Sequence, residues 1–160
     1  MAVKICPETG VGEWFDRERA THPVPAPASQ LSPLFPELID ESYKPITPVS
    51  KDGETVEELH QRAIECVTNL INELKNEPEI KTVLLVTHAA TKIALGRALL
   101  GDPNAEIRTG TCSVDKYVLS SDDKSGAPGD WTQQMNGYAD FLTKGEEMHW
   151  SFGMLLQSKL

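Results

Sequence analysis

The 160-residue chain is poor in cysteine, with only Cys6, Cys66 and Cys112, well separated and in no CxxC pair. An odd, scattered set builds neither a disulfide framework nor a zinc knuckle, so these residues read as reduced intracellular thiols. Positive charge is scarce as well: 15 Lys and Arg face 24 Asp and Glu, a formal net charge of −9. Direct nucleic-acid binding is not expected from such a balance, because phosphate contacts need clustered cations. No apolar run approaches the ~20 residues that cross a bilayer, so no membrane association is expected. The apolar stretch within Met1–Pro7 is too short for a signal peptide. Among His22, His60, His88 and His149 there is no HxxxH or HExxH spacing, and neither a metal nor another cofactor is expected. GxxxxGK[ST], GxGxxG and GxSxG are also missing, which removes the commonest nucleotide and serine-hydrolase readings. What remains is an ordinary 39% hydrophobic composition. A chain of this length buries roughly 70% of its unfolded surface, enough for one real core.

Proline divides the chain. Pro23, Pro25, Pro27, Pro33, Pro36, Pro45 and Pro48 fall between Thr21 and Pro48. Each fixes φ and removes a donor, so an irregular surface excursion is predicted there, with a helical turn near Leu34–Leu38. Leu31, Leu34, Phe35, Leu38, Ile39 and Tyr43 are its candidate anchors; the alternative is a solvated linker. After Gly53 the apolar residues Val56, Leu59, Ala63, Cys66, Val67, Leu70, Ile71 and Leu74 recur at steps of three and four. That spacing predicts an amphipathic helix from about Glu54 to Lys75, opened by a Thr55/Glu58 capping box. Lys81–Thr87 is short, β-branched and nearly continuously apolar, as in a parallel strand buried on both faces. Ala90–Leu100 is helical in composition and closed by Gly101, and Thr111–Ser120 alternates as a further strand. Ser121–Trp131 reads as a loop. The order helix–strand–helix predicts an α/β fold.

Two residues stand out for chemistry. His88 follows the predicted strand directly and precedes the helix beginning near Ala90. In α/β sheets ligands bind at the carboxyl ends of strands, where helix N-termini offer free amides to anions. A histidine there can donate to a phosphate oxygen beside the Ala89 and Ala90 amides; the alternative is a structural histidine bonded to the backbone. Glu13 lies in Gly10-Val11-Gly12-Glu13-Trp14-Phe15, and an acid beside aromatic rings in a poorly solvated pocket is a candidate proton donor. A solvated loop glutamate is the alternative. His60 is expected on the boundary or solvated face of its helix.

Taken together, these segments make the sequence resemble the histidine phosphatase superfamily, the phosphoglycerate-mutase-like enzymes. Glu8-Thr9-Gly10-Val11-Gly12-Glu13-Trp14-Phe15 is similar to the acid-bearing segment of the branch containing the suppressor of T-cell receptor signalling phosphatases. Val86-Thr87-His88-Ala89 is similar to the motif of its second catalytic histidine. Tyr43-Lys44-Pro45 and Gly53-Glu54-Thr55 resemble later landmarks. Glu57–Arg62, Thr109–Lys116 and Asn136–Trp150 resemble the fungal group related to the phosphatase-like tau subunit of transcription factor IIIC. The resemblance implies a three-layer α/β/α fold and phosphomonoester hydrolysis through a phosphohistidine, with His88 as the second histidine and Glu13 as the proton donor. Phosphate or a phosphomonoester would be the ligand.

The Arg-His-Gly motif that would carry the attacking histidine does not occur in the 160 residues. By the resemblance, both phosphate-binding arginines belong to the same region. Residues 1–153 are therefore expected to be the C-terminal portion of such a domain, incomplete at its N-terminus, and residues 154–160 a tail. Activity is expected to be absent or weak. Apolar surface on Val83–Val86 would then need a protein partner in place of the missing part. The competing reading is a non-catalytic interaction module of a transcription factor IIIC-type assembly. A cytoplasmic or nuclear location is expected, while the ending Ser158-Lys159-Leu160 matches the peroxisomal address.

Overall fold

The computed structural model describes residues 3–121 and 124–154. In chain order it contains a 3-10 turn at Thr9–Val11 and the helices α1 (Ala28–Leu31), α2 (Val56–Leu74) and α3 (Ala89–Leu100), followed by the strands β1 (Val114–Leu119) and β2 (Trp131–Tyr138). The fold is of the expected α/β class.

Helix α2 begins where the capping box places it. Thr55 Oγ1 accepts from the Glu58 amide, and the Glu58 carboxylate accepts from the Thr55 amide at 2.8 Å. Two N-terminal donors that a helix leaves unpaired are thereby satisfied. Helix α3 ends at Gly101, whose φ of 64° is the left-handed conformation that closes a helix most cheaply with glycine.

The two helices pack through Leu59, Ala63, Cys66 and Val67 of α2 and Ala90, Ala94, Leu95 and Ala98 of α3, with Trp14 closing the cluster. Small residues at Ala90, Ala94 and Ala98 share one face of α3 and let α2 approach closely. The opposite face carries Lys92 and Gly96 toward the β1–β2 hairpin. A Cβ on Gly96 would lie 2.5 Å from the Tyr117 hydroxyl of β1. Lys92 Nζ reaches Asp115 Oδ1 at 3.2 Å and Ser113 Oγ at 2.7 Å. Helix α3 is thus held between α2 and the hairpin, which fixes its N-terminus in space. Cys66 is buried in this core, and burial pushes its thiol up to about 11, so it is a packing residue with no reactive thiolate at neutral pH.

The segment 81–86 departs from expectation. It was expected as a strand buried on both faces, yet it belongs to no regular element and pairs with no strand among the described residues. Leu84 and Val86 are 83% and 80% exposed. Hydrophobic sequence makes a strand only where neighbouring strands complete its hydrogen bonds, and none among the described residues flanks this stretch. Strand β1 lies within the predicted Thr111–Ser120, but Val114 and Leu119 are exposed rather than core-facing. It pairs antiparallel with β2, whose Trp-Thr-Gln-Gln-Met-Asn-Gly-Tyr sequence lacks a clean alternation.

The proline-rich excursion is irregular, as expected, but its helix α1 is Ala28–Leu31, ahead of the helical turn predicted near Leu34–Leu38. Its anchoring is narrower than its composition suggests: Ile39 is buried, whereas Leu34, Phe35 and Leu38 are exposed. The segment returns to the body through polar contacts on Glu8. The Glu8 carboxylate accepts from the Tyr43 hydroxyl at 2.7 Å and from the Ile46 amide at 2.8 Å. Burial, and then the Glu8 carboxylate beside it, hold the Tyr43 phenol far above its ordinary ionisation range.

Candidate functional site

The site is assembled from the turn Gly10–Gly12 and the start of α3. Glu8 organises the turn from its N-terminal side, its Oε1 accepting from the Gly10 amide at 2.8 Å. The next three carbonyls each receive a side-chain donor. Gly10 O accepts from Arg62 Nη1 at 2.7 Å, Val11 O from Thr87 Oγ1 at 2.6 Å, and Gly12 O from Thr91 Oγ1 at 2.7 Å. Arg62 is itself nearly fully buried and forks onto the Glu54 carboxylate, Nε to Oε1 at 2.7 Å and Nη2 to Oε2 at 2.8 Å. Such a bidentate, charge-assisted pair is geometrically specific. Gly10 has no room for a side chain: a Cβ there would lie 2.7 Å from both Cys66 Sγ and Thr47 Cβ.

Glu13 follows the turn immediately. Its Oε1 accepts from the Trp14 amide at 2.9 Å, and its Oε2 stands 2.9 Å from Nδ1 of His88. The structure therefore brings together the two residues singled out in the sequence, although 75 positions separate them. The desolvating aromatic pocket expected around Glu13 is not formed. Trp14 turns into the core and donates through Nε1 to Glu54 O at 2.9 Å, while the Phe15 ring lies under Arg19. The Glu13 side chain is 37% exposed and that of His88 57%.

His88 is the N-cap of α3, with φ −107° and ψ 163° and no side-chain cap bond. No acidic residue occupies the first turn of α3. The first amides of a helix have no intrahelical acceptor, and together with the macrodipole they favour an anion. A carboxylate has no proton to give, so the Glu13 contact requires the His88 proton on Nδ1 when the ring is neutral and leaves the Nε2 edge for a ligand.

The other histidines do different work. His60 is half-buried as expected, its Nδ1 against Val56 O at 2.7 Å and its Nε2 facing Arg97 at 3.1 Å. His22 rests on Asp16 O at 3.1 Å, and His149 lies 3.5 Å from Glu146. All five arginines of the chain are engaged away from His88. Arg17 pairs with Glu58, Arg62 with Glu54, Arg97 with His60 and Arg108 with Glu146, while Arg19 covers Phe15. Among the described residues, no group of three or more His, Cys, Asp or Glu side chains could hold a metal ion.

Sequence reading missed Thr87, Thr91, Arg62 and Glu8. For the threonines a signal exists in their spacing. Positions one before and three after a helix N-cap flank the first turn, where a short hydroxyl reaches a neighbouring carbonyl. Arg62 carries no local signal, because its partners lie across the fold.

The sequence profile of the histidine phosphatase superfamily (branch 1) matches residues 27–126, which include His88 but not Glu13. The transcription factor tau 55 kDa subunit of Saccharomyces cerevisiae is 33% identical over 184 aligned positions, covering 99% of this chain. The chain spans 42% of the length of that relative. With a family match over more than half its residues, the chain belongs to the histidine phosphatase superfamily.

Proposed function

We propose that this chain binds a phosphoryl anion at the start of α3, with His88 as the contacting group and Glu13 as the acid that orients it. Catalytic turnover is weak or absent. The observation that carries this reading is the 2.9 Å contact of Glu13 with His88 at an uncapped helix N-terminus. With Nδ1–H held by Glu13, the ring donates through Nε2 once it is the doubly protonated imidazolium, and that cation beside free amides suits a phosphate oxygen; the superfamily relationship supplies the ligand class. In the family chemistry Glu13 would be the proton donor to the leaving oxygen.

Titration of the full chain with inorganic phosphate, followed by NMR, tests it. The amides of Ala89, Ala90 and Thr91 and the His88 ring are expected to shift together. A charge-assisted hydrogen bond contributes about 1.5–3 kcal/mol, so His88→Ala is expected to weaken binding by about ten- to a hundredfold. Unchanged affinity in His88→Ala, or shifts confined to other regions, would overturn the assignment.

The exposed apolar stretch Val83–Val86 favours a second reading, a non-catalytic interaction module. Leu84 and Val86 at 83% and 80% exposure present unpaired backbone and apolar side chains of the kind partners cover. The relative named as a transcription factor subunit supports a nuclear assembly partner. A cytoplasmic location is compatible with the same reading, and the Ser158-Lys159-Leu160 ending, which lies outside the described residues, is the peroxisomal alternative. Substituting Leu84→Ser together with Val86→Ser is expected to leave thermal stability within about 0.5 kcal/mol, as at other surface positions. The same pair should abolish co-purification of the partner. Loss of folding in the double variant, or partner retention at wild-type level, would count against this reading.

A further inference from the structure

We infer that Thr87 and Thr91 are positioning residues that clamp the acid-bearing turn to the start of α3 and so set the proton on His88; this rests on the reading of His88 and Glu13 as the anion site. Thr91 is fully buried and Thr87 half-buried, and their hydroxyls donate to the consecutive carbonyls of Gly12 and Val11. They sit on either side of His88 in sequence, so the element that presents the imidazole also grips the two residues ahead of Glu13. Arg62 holds the third carbonyl, Gly10 O, from α2.

The consequence is a short mechanical path. From Gly12 O to the Glu13 carboxylate there is one residue of backbone and one side chain, and from Thr91 to His88 less than one helical turn. A hydrogen bond from Glu13 to His88 competes with water, since both side chains are more than a third exposed. A contact between two partly solvated groups is populated only when the backbones that carry them are already fixed at the right separation, because each free side chain otherwise loses rotamer entropy on pairing. The two threonines provide that fixation at hydrogen-bond lengths of 2.6 and 2.7 Å. Without them Glu13 Oε2 no longer selects the Nδ1-protonated ring, and Nε2 is no longer reserved as the position that takes the second proton and donates to the anion.

The test is the nitrogen spectrum of the His88 ring in the full chain, recorded at pH 8.5. Wild type is expected to show a protonated Nδ1 and an unprotonated Nε2. Glu13→Gln, which removes the negative charge that favours Nδ1–H, is expected to shift both resonances toward a tautomer mixture. Thr91→Val keeps the shape and removes the hydroxyl. It should move the resonances most of the way to the Glu13→Gln pattern, and Thr91→Ser should restore the wild-type pattern. If Thr91→Val does not fold, Thr87→Val carries the same prediction from a half-buried position. A Thr→Val spectrum identical to wild type, with Glu13→Gln shifted, overturns the clamp and leaves the Glu13–His88 pair standing. A Glu13→Gln spectrum identical to wild type overturns the pair itself and the clamp with it. A merely structural threonine would lower the melting temperature without moving the ring nitrogens, and that result also overturns the proposal.

Discussion

Arg62→Ala is expected to destabilise the fold by about 3–5 kcal/mol, the range for removing one partner of a buried ion pair. The guanidinium and the Glu54 carboxylate are 5% and 7% exposed, with all three hydrogen bonds of Arg62 at 2.7–2.8 Å. Truncation leaves the Glu54 charge buried without a partner and frees Gly10 O at the same time. The Glu54 backbone also accepts from Trp14 and donates to Phe15 O, so the disturbance reaches the segment that carries Glu13. Arg17→Ala is the matched control. Its pair with Glu58 is equally short at 2.6 Å, but the side chains are 51% and 45% exposed. Exposed pairs contribute at most about 1 kcal/mol, because water screens the attraction and ordering two long side chains costs entropy. Urea unfolding followed by circular dichroism separates the two. A loss below about 1 kcal/mol for Arg62→Ala would show that the pair is not the tie between α2 and the Gly10 turn. Replacing both partners, Arg62→Met with Glu54→Leu, should recover most of the loss, since desolvation of the orphaned charge is the dominant cost.

How much of this was legible in the sequence follows the range of the forces involved. Helices α2 and α3 are local objects, decided by apolar spacing, a capping box and a terminal glycine within a few residues of each end, and they lie where those signals place them. His88 was legible for the same reason, as the residue in front of a helix. Residues 81–86 were misread because a strand is not a local object. Their composition meets every requirement except the neighbour that must supply the hydrogen bonds. Strand β2 was missed from the opposite side, since its polar sequence is held by pairing with β1 rather than by pattern. The threonine clamp and Arg62 were invisible because their acceptors are backbone carbonyls between 52 and 79 residues away, and carbonyls leave no mark on sequence. The Glu13 pocket failed for a related reason: Trp14 and Phe15 are adjacent to the acid in sequence but are drawn off by Glu54 and Arg19.

The same geometry predicts a large deficit in turnover. With para-nitrophenyl phosphate, the 160-residue chain and its His88→Ala variant are expected to give indistinguishable rates at the uncatalysed background, even though they differ in phosphate binding. Transfer of a phosphoryl group spreads negative charge over its equatorial oxygens, and enzymes stabilise that charge with preorganised cations. Here every arginine is committed elsewhere, Arg62 inside a buried pair and the others to Glu58, Phe15, His60 and Glu146. Each missing electrostatic group costs about 10²–10³ in rate, so the loss of two removes on the order of 10⁴ or more before the nucleophile is considered. In the proposed site His88 would have to give up the anion contact to act as nucleophile, and His60 and His22 are engaged elsewhere. His60 is bound to Val56 O and Arg97, and His22 to Asp16 O. On the proposed reading, the helix N-terminus and one oriented imidazole bind phosphate but lack the cations that its transfer requires. Turnover clearly above background that falls on His88→Ala would show instead that the Glu13–His88 pair supports the covalent chemistry unaided.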